Sequence, residues 1–162
     1  MIKFVFVEPR RRRRLNQIIS NVDRSRSAVL AIGLGRMASM EGQVKDFVSS
    51  NQELMAELGE LKNGENFFIL EKRENMPEPA PGDTAPYSNQ ANKFLVETIK
   101  SLQKEMIRMA EHAVRKIYLF YQGPAILLAP IGAALSNRFT VICYHYSRQT
   151  GYYCIGLMQD DR

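Results

Sequence analysis

The sequence predicts a three-layer α/β fold with a mostly parallel sheet and an antiparallel hairpin at its edge. Three observations predict this fold. Short, unbroken apolar runs recur along the chain, which is typical of strands buried on both faces. Segments with helical spacing alternate with these runs, and that alternation favours a parallel sheet. The last two apolar runs are joined by a short turn, which favours an antiparallel pair.

The first predicted strand is AVLAIGLG at 28–35, an apolar run that ends in glycines. A helix is predicted to follow it, capped by Ser39 and ending in the Gly59 to Gly64 region. The apolar positions that would form its buried face are Met40, Val44, Phe47, Val48 and Met55. NFFILEK at 66–72 is the next predicted strand.

The segment NMPEPAPGDTAPYS at 75–88 carries four prolines, so no regular element is predicted through it. Loops of this length inside a domain are usually functional or disordered. A long amphipathic helix is predicted after it, because apolar residues then recur at intervals of three or four. These residues are Ala91, Leu95, Ile99, Leu102, Met106, Met109 or Ala110, and Ala113.

The stretch YLFYQGPAILLAPIGAALSN at 118–137 contains no charged residue. Its first part belongs to a predicted strand, KIYLFY at 116–121, and Gln122 and Gly123 form a turn. Pro124 suits the first turn of the helix that follows, and Pro130 is expected to bend that helix. Since the helix is apolar on nearly every side, we expect both strand and helix to be buried.

Two further strands complete the predicted sheet, FTVICYHY at 139–146 and its antiparallel partner YYCIGLM at 152–158. Residues 28–162 are interpreted as one domain, which suits a chain of 162 residues. Residues 1–27 are interpreted as a basic N-terminal segment, in which IKFVFV reads as a strand and PRRRRRLNQIISNV as a short helix.

The net charge of +5 favours polyanionic partners without distinguishing nucleic acid, a phosphorylated ligand or an acidic protein. The arginine run at 10–14 is interpreted as a solvated positive face or a flexible arm, and not as a specific nucleic-acid site, because no aromatic residues are interleaved with it. The longest apolar stretch is broken at Gln122, and no secretory signal is apparent, so a cytoplasmic protein without membrane partners is expected. Cys143 and Cys154 are expected to be small core residues in a reducing compartment.

A ligand site is expected where the carboxyl ends of the parallel strands meet. The segments expected there are 33–38, the loop after Lys72, 121–124 and 146–151. Glycines permit close backbone approach, a helix start offers amide groups to an anion, and tyrosines stack on bases. GLGR lacks the third glycine of a dinucleotide fingerprint and reads as an ordinary tight turn. Arg36 reads equally well as a phosphate partner or as a surface arginine.

No catalytic motif is evident, and no cofactor or metal is expected. His112 is interpreted as structural, and strand alternation places His145 on the face opposite Tyr144 and Tyr146. No nucleophile is placed beside a histidine, and two histidines are too few to suggest a metal centre.

Over about residues 28–158 the pattern resembles the SAVED domain, a sensor module of bacterial anti-phage signalling. The resemblance is carried by AVLAIGLGR, by IYLFYQGPAILLAPIGAALSNRFTVICYHY with Gly132 in its small helix, and by YYCIGLM. It implies a Rossmann-like fold similar to the CARF sensors of type III CRISPR systems.

The resemblance implies a sensor in CBASS or type III CRISPR defence that binds a cyclic oligonucleotide and controls an effector through assembly. The implied binding residues are Gly33, Leu34, Gly35, Arg36, Tyr121, Gln122, Gly123, Pro124, Tyr146 and Arg148. Family members pair two units and carry an effector, whereas this sequence has room for one unit. The sequence is therefore interpreted as a fragment of a larger protein, as a subunit with a separate effector, or as a single unit. A single unit would self-associate or pair with a second SAVED-type unit. A ring nuclease, another nucleotide-processing enzyme and a structural partner subunit are the alternatives.

Overall fold

The computed structural model describes residues 26–36, 39–78, 89–147, 149 and 151–158. Five strands form one sheet in the order β2-β1-β3-β4-β5. Strands β1 to β4 are parallel, and β5 is antiparallel to β4, so the predicted fold class is confirmed. The strand bounds are β1 Arg26–Leu34, β2 Phe67–Lys72, β3 Val114–Gln122, β4 Thr140–Ser147 and β5 Gly151–Met158.

Helices cover both faces of the sheet and give the three predicted layers. Their bounds are α1 Met40–Ser50, α2 Gln52–Leu58, α3 Asn89–Glu111 and α4 Leu128–Ser136, with a 3₁₀ turn at Ala125–Leu127. Helices α1 and α2 share one hydrophobic cluster with the sheet, and α3 and α4 share the other. Within the described ranges, no helix has both the length and the apolar character needed to cross a bilayer.

The central strand β1 is buried on both faces. Residues 28–32 are fully inaccessible to solvent, because β1 lies between β2 and β3 and under helices on each side. Burying a single leucine or isoleucine side chain stabilises the fold by about 1.5–3 kcal/mol. The strand begins at Arg26, two residues before the predicted run. The rest of the basic segment, including the predicted N-terminal strand and helix, lies outside the described residues.

The single helix predicted between Ser39 and Gly59 is two helices, so that prediction is wrong in this respect. Asn51 has an extended backbone, and its side chain accepts the backbone N–H groups of Glu53 and Leu54, both at 3.1 Å. An asparagine that caps a new helix necessarily ends the preceding one.

Helix α3 buries the predicted face, on which Leu102 and Met109 are inaccessible to solvent. It ends at Glu111, shortly before the predicted limit at Ala113. Ala113 has a φ of 57°, the left-handed conformation that often terminates helices. Strand β3 begins at the next residue.

The uncharged stretch at 118–137 is buried only in part. Residues 118–121 of β3 are buried as predicted. Gln122, predicted in the turn, is instead the buried last residue of β3. Ile126 in the 3₁₀ turn is 64% exposed. The prediction of a helix buried on every side is therefore wrong: one face packs on the sheet, and outward positions are occupied mainly by alanines. Pro130 lies in the first turn of α4, which directly follows the 3₁₀ turn, and the bend expected there stays a prediction.

The two cysteines are both free, but they differ in burial. Cys143 on β4 is buried as predicted, whereas Cys154 on β5 is exposed, so the prediction of a core position is wrong for Cys154. The hairpin register shifts between Cys143 and Tyr144, since Cys143 pairs with Gly156 and Tyr144 with Cys154. Ile155 is therefore the extra residue of a β-bulge.

Glu57 on α2 connects three elements at the amino-end edge of the sheet. Its carboxylate accepts hydrogen bonds from the hydroxyls of Ser27 and Tyr118, and from Nζ of Lys116 at 3.0 and 3.1 Å. Burial raises the pKa of Glu57, but these hydrogen bonds outweigh it and hold the pKa below its ordinary value of 4.5.

Candidate functional site

The carboxyl ends of β1 to β4 meet at one edge of the sheet, which we call the carboxyl-end surface. It comprises residues 33–36, 71–75, 122–124, 146 and 151–152. Register brings these segments together, because Gly33 lies opposite both Glu71 and Gln122, and Tyr146 lies opposite Tyr152. Nine of the ten predicted binding residues lie at or next to this surface. The tenth, Arg148, lies outside the described residues.

The turn after β1 contributes one free cationic group to the surface. Gly35 has a φ of 118°, and its N–H donates to the Lys72 carbonyl at 2.8 Å. The Arg36 N–H donates to Oδ1 of Asn75 at 3.1 Å. Both amides are therefore occupied within the chain. The Arg36 side chain is exposed and forms no ion pair with any described residue.

Gly33 and Leu34 have packing roles. Gly33 lies inside β1, where an added Cβ would come within 2.9 Å of Sδ of Met40. Leu34 is 2% exposed and belongs to the core on the α3 and α4 side. Neither side-chain position faces solvent, so these two residues shape the turn without offering a group to a ligand.

The amino terminus of α1 is capped by a residue distant in sequence. Oε1 of Glu71 accepts the Met40 N–H at 2.9 Å and the Ser39 hydroxyl at 3.4 Å. Ser39 is the N-cap residue, as predicted, but its side chain makes no capping bond to the helix. A carboxylate stabilises a helix start through its charge as well as its hydrogen bond. The position that an anionic ligand would take at this helix start is thus held by Glu71.

The turn after β3 is closed by a tyrosine. The Tyr121 hydroxyl donates to the Pro124 carbonyl at 2.6 Å, and burial raises the pKa of Tyr121 to about 12. The space at Gly123 has no room for a side chain, since an added Cβ would lie 2.8 Å from Oη of Tyr121 and 3.0 Å from Cβ of Leu34. Because Tyr121 is only 4% exposed, it serves the turn and offers no ring face for stacking.

The helical segment after Pro124 presents amide groups at the same edge. The first bond of this segment runs from the Leu127 N–H to the Pro124 carbonyl at 3.0 Å. The N–H groups of Ala125 and Ile126 precede that bond, so no acceptor within the helix exists for them. They are the backbone donors that the segment offers to an anion.

Gln122 lies buried beside two residues that the sequence analysis did not identify. Its amide nitrogen is 3.3 Å from the Tyr152 hydroxyl and 3.5 Å from Oε1 of Gln43. Burial, with a smaller contribution from Tyr146, raises the pKa of Tyr152 to about 12. Gln43 and Tyr152 come from α1 and β5, and no spacing along the chain indicates that these residues meet.

Aromatic rings line the sheet face that leads to this surface. Phe120 and Tyr144 are stacked with centroids 4.8 Å apart, and Tyr146 meets Tyr152 edge-on at 5.1 Å. Tyr146 is the outermost of the β4 tyrosines and is only partly buried. His145 is exposed and contacts Tyr153 at 5.8 Å between ring centroids. This confirms that His145 points away from the face of Tyr144 and Tyr146.

The described part of this surface holds no cluster of metal-binding side chains. In the described ranges, no three histidine, cysteine or acidic side chains are grouped so that they could hold a metal ion. His112 packs beside the Phe68 ring at 6.2 Å between ring centroids, as expected of a structural residue.

Two cavities lie at the opposite, amino-end edge of the sheet. One, of about 400 Å³, is lined by residues that include Arg115 and Arg138. The other, of about 410 Å³, includes Arg26 and Glu57. Neither of these two cavities is lined by a predicted binding residue. Ligands of open α/β sheets bind at the carboxyl ends of the strands, which favours the carboxyl-end surface.

No family model matches the chain, and no curated protein matches it in sequence. The fold is similar to two structures of the Cap4 SAVED/CARF-domain containing receptor of Acinetobacter baumannii. The structure with the cyclic trinucleotide 3'3'3'-cAAA has a TM-score of 0.58 and 13% identity, over 85% of this chain and 26% of the receptor. The structure with 2'3'3'-cAAA has a TM-score of 0.53 and 17% identity, over 84% of this chain and 26% of the receptor.

The chain therefore spans about a quarter of the receptor that it resembles. At this sequence identity the similarity establishes the fold, and the resemblance noted in the sequence is confirmed at that level.

Proposed function

Because the chain has a SAVED/CARF-like fold, we propose that it is a sensor that binds a cyclic oligonucleotide at the carboxyl-end surface. The observation that carries this proposal is the similarity, over 85% of the chain, to a receptor solved with a cyclic trinucleotide. In the proposed role, the chain acts in the cytoplasm as part of a bacterial anti-phage system of the CBASS or type III CRISPR kind.

The groups at the carboxyl-end surface suit the parts of such a ligand. A phosphate would meet the Arg36 guanidinium, and a charge-assisted hydrogen bond of this kind contributes about 1.5–3 kcal/mol. The N–H groups of Ala125 and Ile126 are further donors. A base would stack on the partly exposed ring of Tyr146, which contributes about 1–3 kcal/mol. Arg148 remains a predicted phosphate contact.

The Glu71 carboxylate restricts where the phosphates lie. It occupies the start of α1, and a phosphate beside it would experience like-charge repulsion. We therefore place the phosphates on the side of the surface between Arg36 and the turn at Gly123. This location keeps the ligand next to the Gln122 and Tyr152 pair.

A second unit is proposed to complete the site. Since the chain spans 26% of the receptor that it resembles, the other unit is a second copy or a second SAVED-type unit. Binding would then shift the assembly state and so control an effector domain or subunit.

The proposal is tested by incubating the full chain with cyclic di-, tri- and tetranucleotides, then measuring the melting temperature and the recovered ligand. A ligand at a hundred times its Kd stabilises the folded state by about 2.7 kcal/mol. We expect one of them to raise the melting temperature and to be recovered intact. Recovery of a linear product would instead establish the ring-nuclease alternative. Absence of stabilisation by every ligand would contradict the proposal and favour a structural partner subunit.

A further inference from the structure

Gln122, the last residue of β3, is a buried amide at the carboxyl-end surface. Among the described serine, threonine, amide and charged residues, only Thr98 and Gln122 are buried. The Thr98 hydroxyl donates to the Phe94 carbonyl within its own helix at 2.7 Å, so its burial has a local explanation. Gln122 has no such partner within its own strand. Burying a polar side chain costs free energy unless its groups are paired, so this amide requires a reason.

The amide nitrogen of Gln122 is paired, whereas its oxygen is not. The nitrogen donates to the Tyr152 hydroxyl at 3.3 Å and to Oε1 of Gln43 at 3.5 Å. No described residue donates a hydrogen bond to Oε1 of Gln122. Since no enclosed side-chain oxygen of the described residues lacks a partner, this oxygen is not enclosed. Oε1 of Gln122 therefore reaches solvent as a free acceptor.

Tyr152 on β5 supplies the complementary group. It is 7% exposed, as Gln122 is, and its hydroxyl accepts the Gln122 amide N–H. The hydroxyl proton itself is donated to no described residue. Burial, with a smaller contribution from Tyr146, raises the pKa of Tyr152 to about 12, so the hydroxyl keeps this proton at neutral pH. A free acceptor on Gln122 and a free donor on Tyr152 thus lie side by side.

The ring of Tyr152 is held in place by aromatic neighbours. Its centroid lies 5.0 Å from that of Phe120, 5.5 Å from that of Phe47 and 5.1 Å from that of Tyr146. These neighbours come from β3, α1 and β4. A hydrogen-bonding group that packing has already fixed loses little conformational freedom on binding, which favours selective recognition.

We propose that Gln122 and Tyr152 form a base-reading pair for the ligand of the carboxyl-end surface. Oε1 of Gln122 accepts an N–H group of a nucleobase edge, and the Tyr152 hydroxyl donates to the neighbouring ring nitrogen or carbonyl oxygen. A base stacked on Tyr146 lies next to this pair, because the rings of Tyr146 and Tyr152 are in contact. The inference rests on the proposed function and assigns its base selectivity to two residues.

The free groups select a base edge over a phosphate. The phosphates of a nucleotide carry acceptor oxygens and no donor at neutral pH, so they do not complement the free oxygen of Gln122. Nucleobase edges carry a donor beside an acceptor, as in the amine and ring nitrogen that glutamine recognises on adenine. Here the glutamine nitrogen is turned inward to Tyr152, and the Tyr152 hydroxyl takes its place as the donor.

The test measures the Kd of the full chain for two cyclic oligonucleotides of the ring size that binds best, one made only of adenosine and one only of guanosine. Along their pairing edges these bases present the donor and the acceptor in reversed order. We expect the wild type to prefer one ligand by about tenfold or more. Gln122→Leu and Tyr152→Phe should each reduce this ratio to about threefold or less.

Two further variants are the controls. Arg36→Ala should weaken binding of both ligands by a similar factor and leave the ratio unchanged, because the phosphates are the same in both. Gln103→Leu makes the same chemical change as Gln122→Leu at an exposed position of α3, so both Kd values should stay at the wild-type level. Circular dichroism establishes which variants are folded. Tyr152→Phe keeps the ring and its packing, so it remains informative if Gln122→Leu fails to fold.

The proposal is overturned if the ratio is unchanged in either folded variant, since Gln122 and Tyr152 would then connect α1, β3 and β5 without reading a base. It is also overturned if the wild type binds both ligands equally. That result is expected if the pair meets a ribose hydroxyl, which is the same in both ligands. A wild type that binds no cyclic nucleotide would contradict the proposed function itself, so the two failures are distinguishable.

Discussion

Oε1 of Glu71 at the end of β2 accepts the backbone N–H of Met40, the first residue of α1, at 2.9 Å. This bond joins the edge strand to the helix that covers the sheet. It also places a negative charge on the surface where we propose that an anionic ligand binds. Glu71 therefore has opposite effects on folding and on binding.

Replacing Glu71 by alanine should lower the free energy of unfolding by about 1 kcal/mol, because a helix cap is lost. Glu71→Gln should cost less, since its amide oxygen can still accept the Met40 N–H. Both variants should bind a cyclic nucleotide more tightly than the wild type, because a like charge is removed. Urea unfolding and calorimetry measure the two effects. Glu74→Ala, a change at an exposed neighbour, should alter stability by less than about 0.5 kcal/mol. Equal stability of the two alanine variants would contradict the cap.

Gly123→Ala should destabilise the fold by about 1–3 kcal/mol, because the new methyl group would crowd Oη of Tyr121 and Cβ of Leu34. The matched control is Gly42→Ala in α1, where an added Cβ meets nothing within 4 Å. That change should stabilise the protein by about 0.4–1 kcal/mol. Adding Tyr121→Phe to Gly123→Ala should recover part of the loss, because the contact with Oη disappears while those with Cβ of Leu34 and Cζ of residue 121 remain. If both glycine variants change stability equally in chemical unfolding, the packing account of Gly123 is wrong.

The sequence was sufficient to predict the order of the strands along the chain and the class of the sheet. AVLAIGLG at 28–35 and IYLFY at 117–121 carry no charged residue at consecutive positions, and burial on both faces explains that pattern in a strand. The burial of the 3₁₀ turn and helix at 125–136 was harder to predict. Its residues are almost all apolar, so the sequence does not show which face packs on the sheet. The break at Asn51 was missed because asparagine acts as a cap only when the backbone is extended there.

The candidate site was predictable in location and less so in detail. Strand ends and glycine turns identified the segments that meet, since parallel strands place their carboxyl ends at one edge. Glu71, Asn75, Gln43 and Tyr152 were missed because their contacts join elements far apart in sequence. Tyr121 was assigned to the ligand, but its burial and its bond to Pro124 depend on packing that residue types alone do not reveal.

Glu57→Gln should destabilise the fold by about 1 kcal/mol at neutral pH, because the ion pair with Lys116 is lost while neutral acceptor groups remain. The folded-state pKa of Glu57 lies below its ordinary value of 4.5, so its stabilisation is present above that pH. It is lost as the pH falls through the folded-state pKa. The difference between wild type and variant should therefore shrink in acid. A difference that stays constant from about pH 7 to about pH 3 in urea unfolding would contradict this.

Tyr121 and Tyr152 should make stability fall at alkaline pH. Burial raises the pKa of each from 10.0 to about 12, so the folded state keeps protons that the unfolded state releases. Their stabilisation is present below the unfolded-state pKa and is lost as the pH rises from 10 towards 12. Tyr121→Phe should weaken this alkaline dependence. Absorbance titration of the folded protein should show Tyr121 and Tyr152 titrating last, and burial also raises the pKa values of Tyr118 and Tyr144. A single step near pH 10 for all seven tyrosines would disprove the burial account.

The most direct measurement of the central claim is the Kd of the cyclic di-, tri- or tetranucleotide that binds best, for the wild type and two arginine variants. Arg36 lies at the carboxyl-end surface, and Arg115 lines a cavity at the opposite edge. We predict that Arg36→Ala raises the Kd about tenfold, since one charge-assisted contact is lost, and that Arg115→Ala leaves it unchanged. Loss of binding in Arg115→Ala alone, or no binding by the wild type, would contradict a ligand site at the carboxyl-end surface.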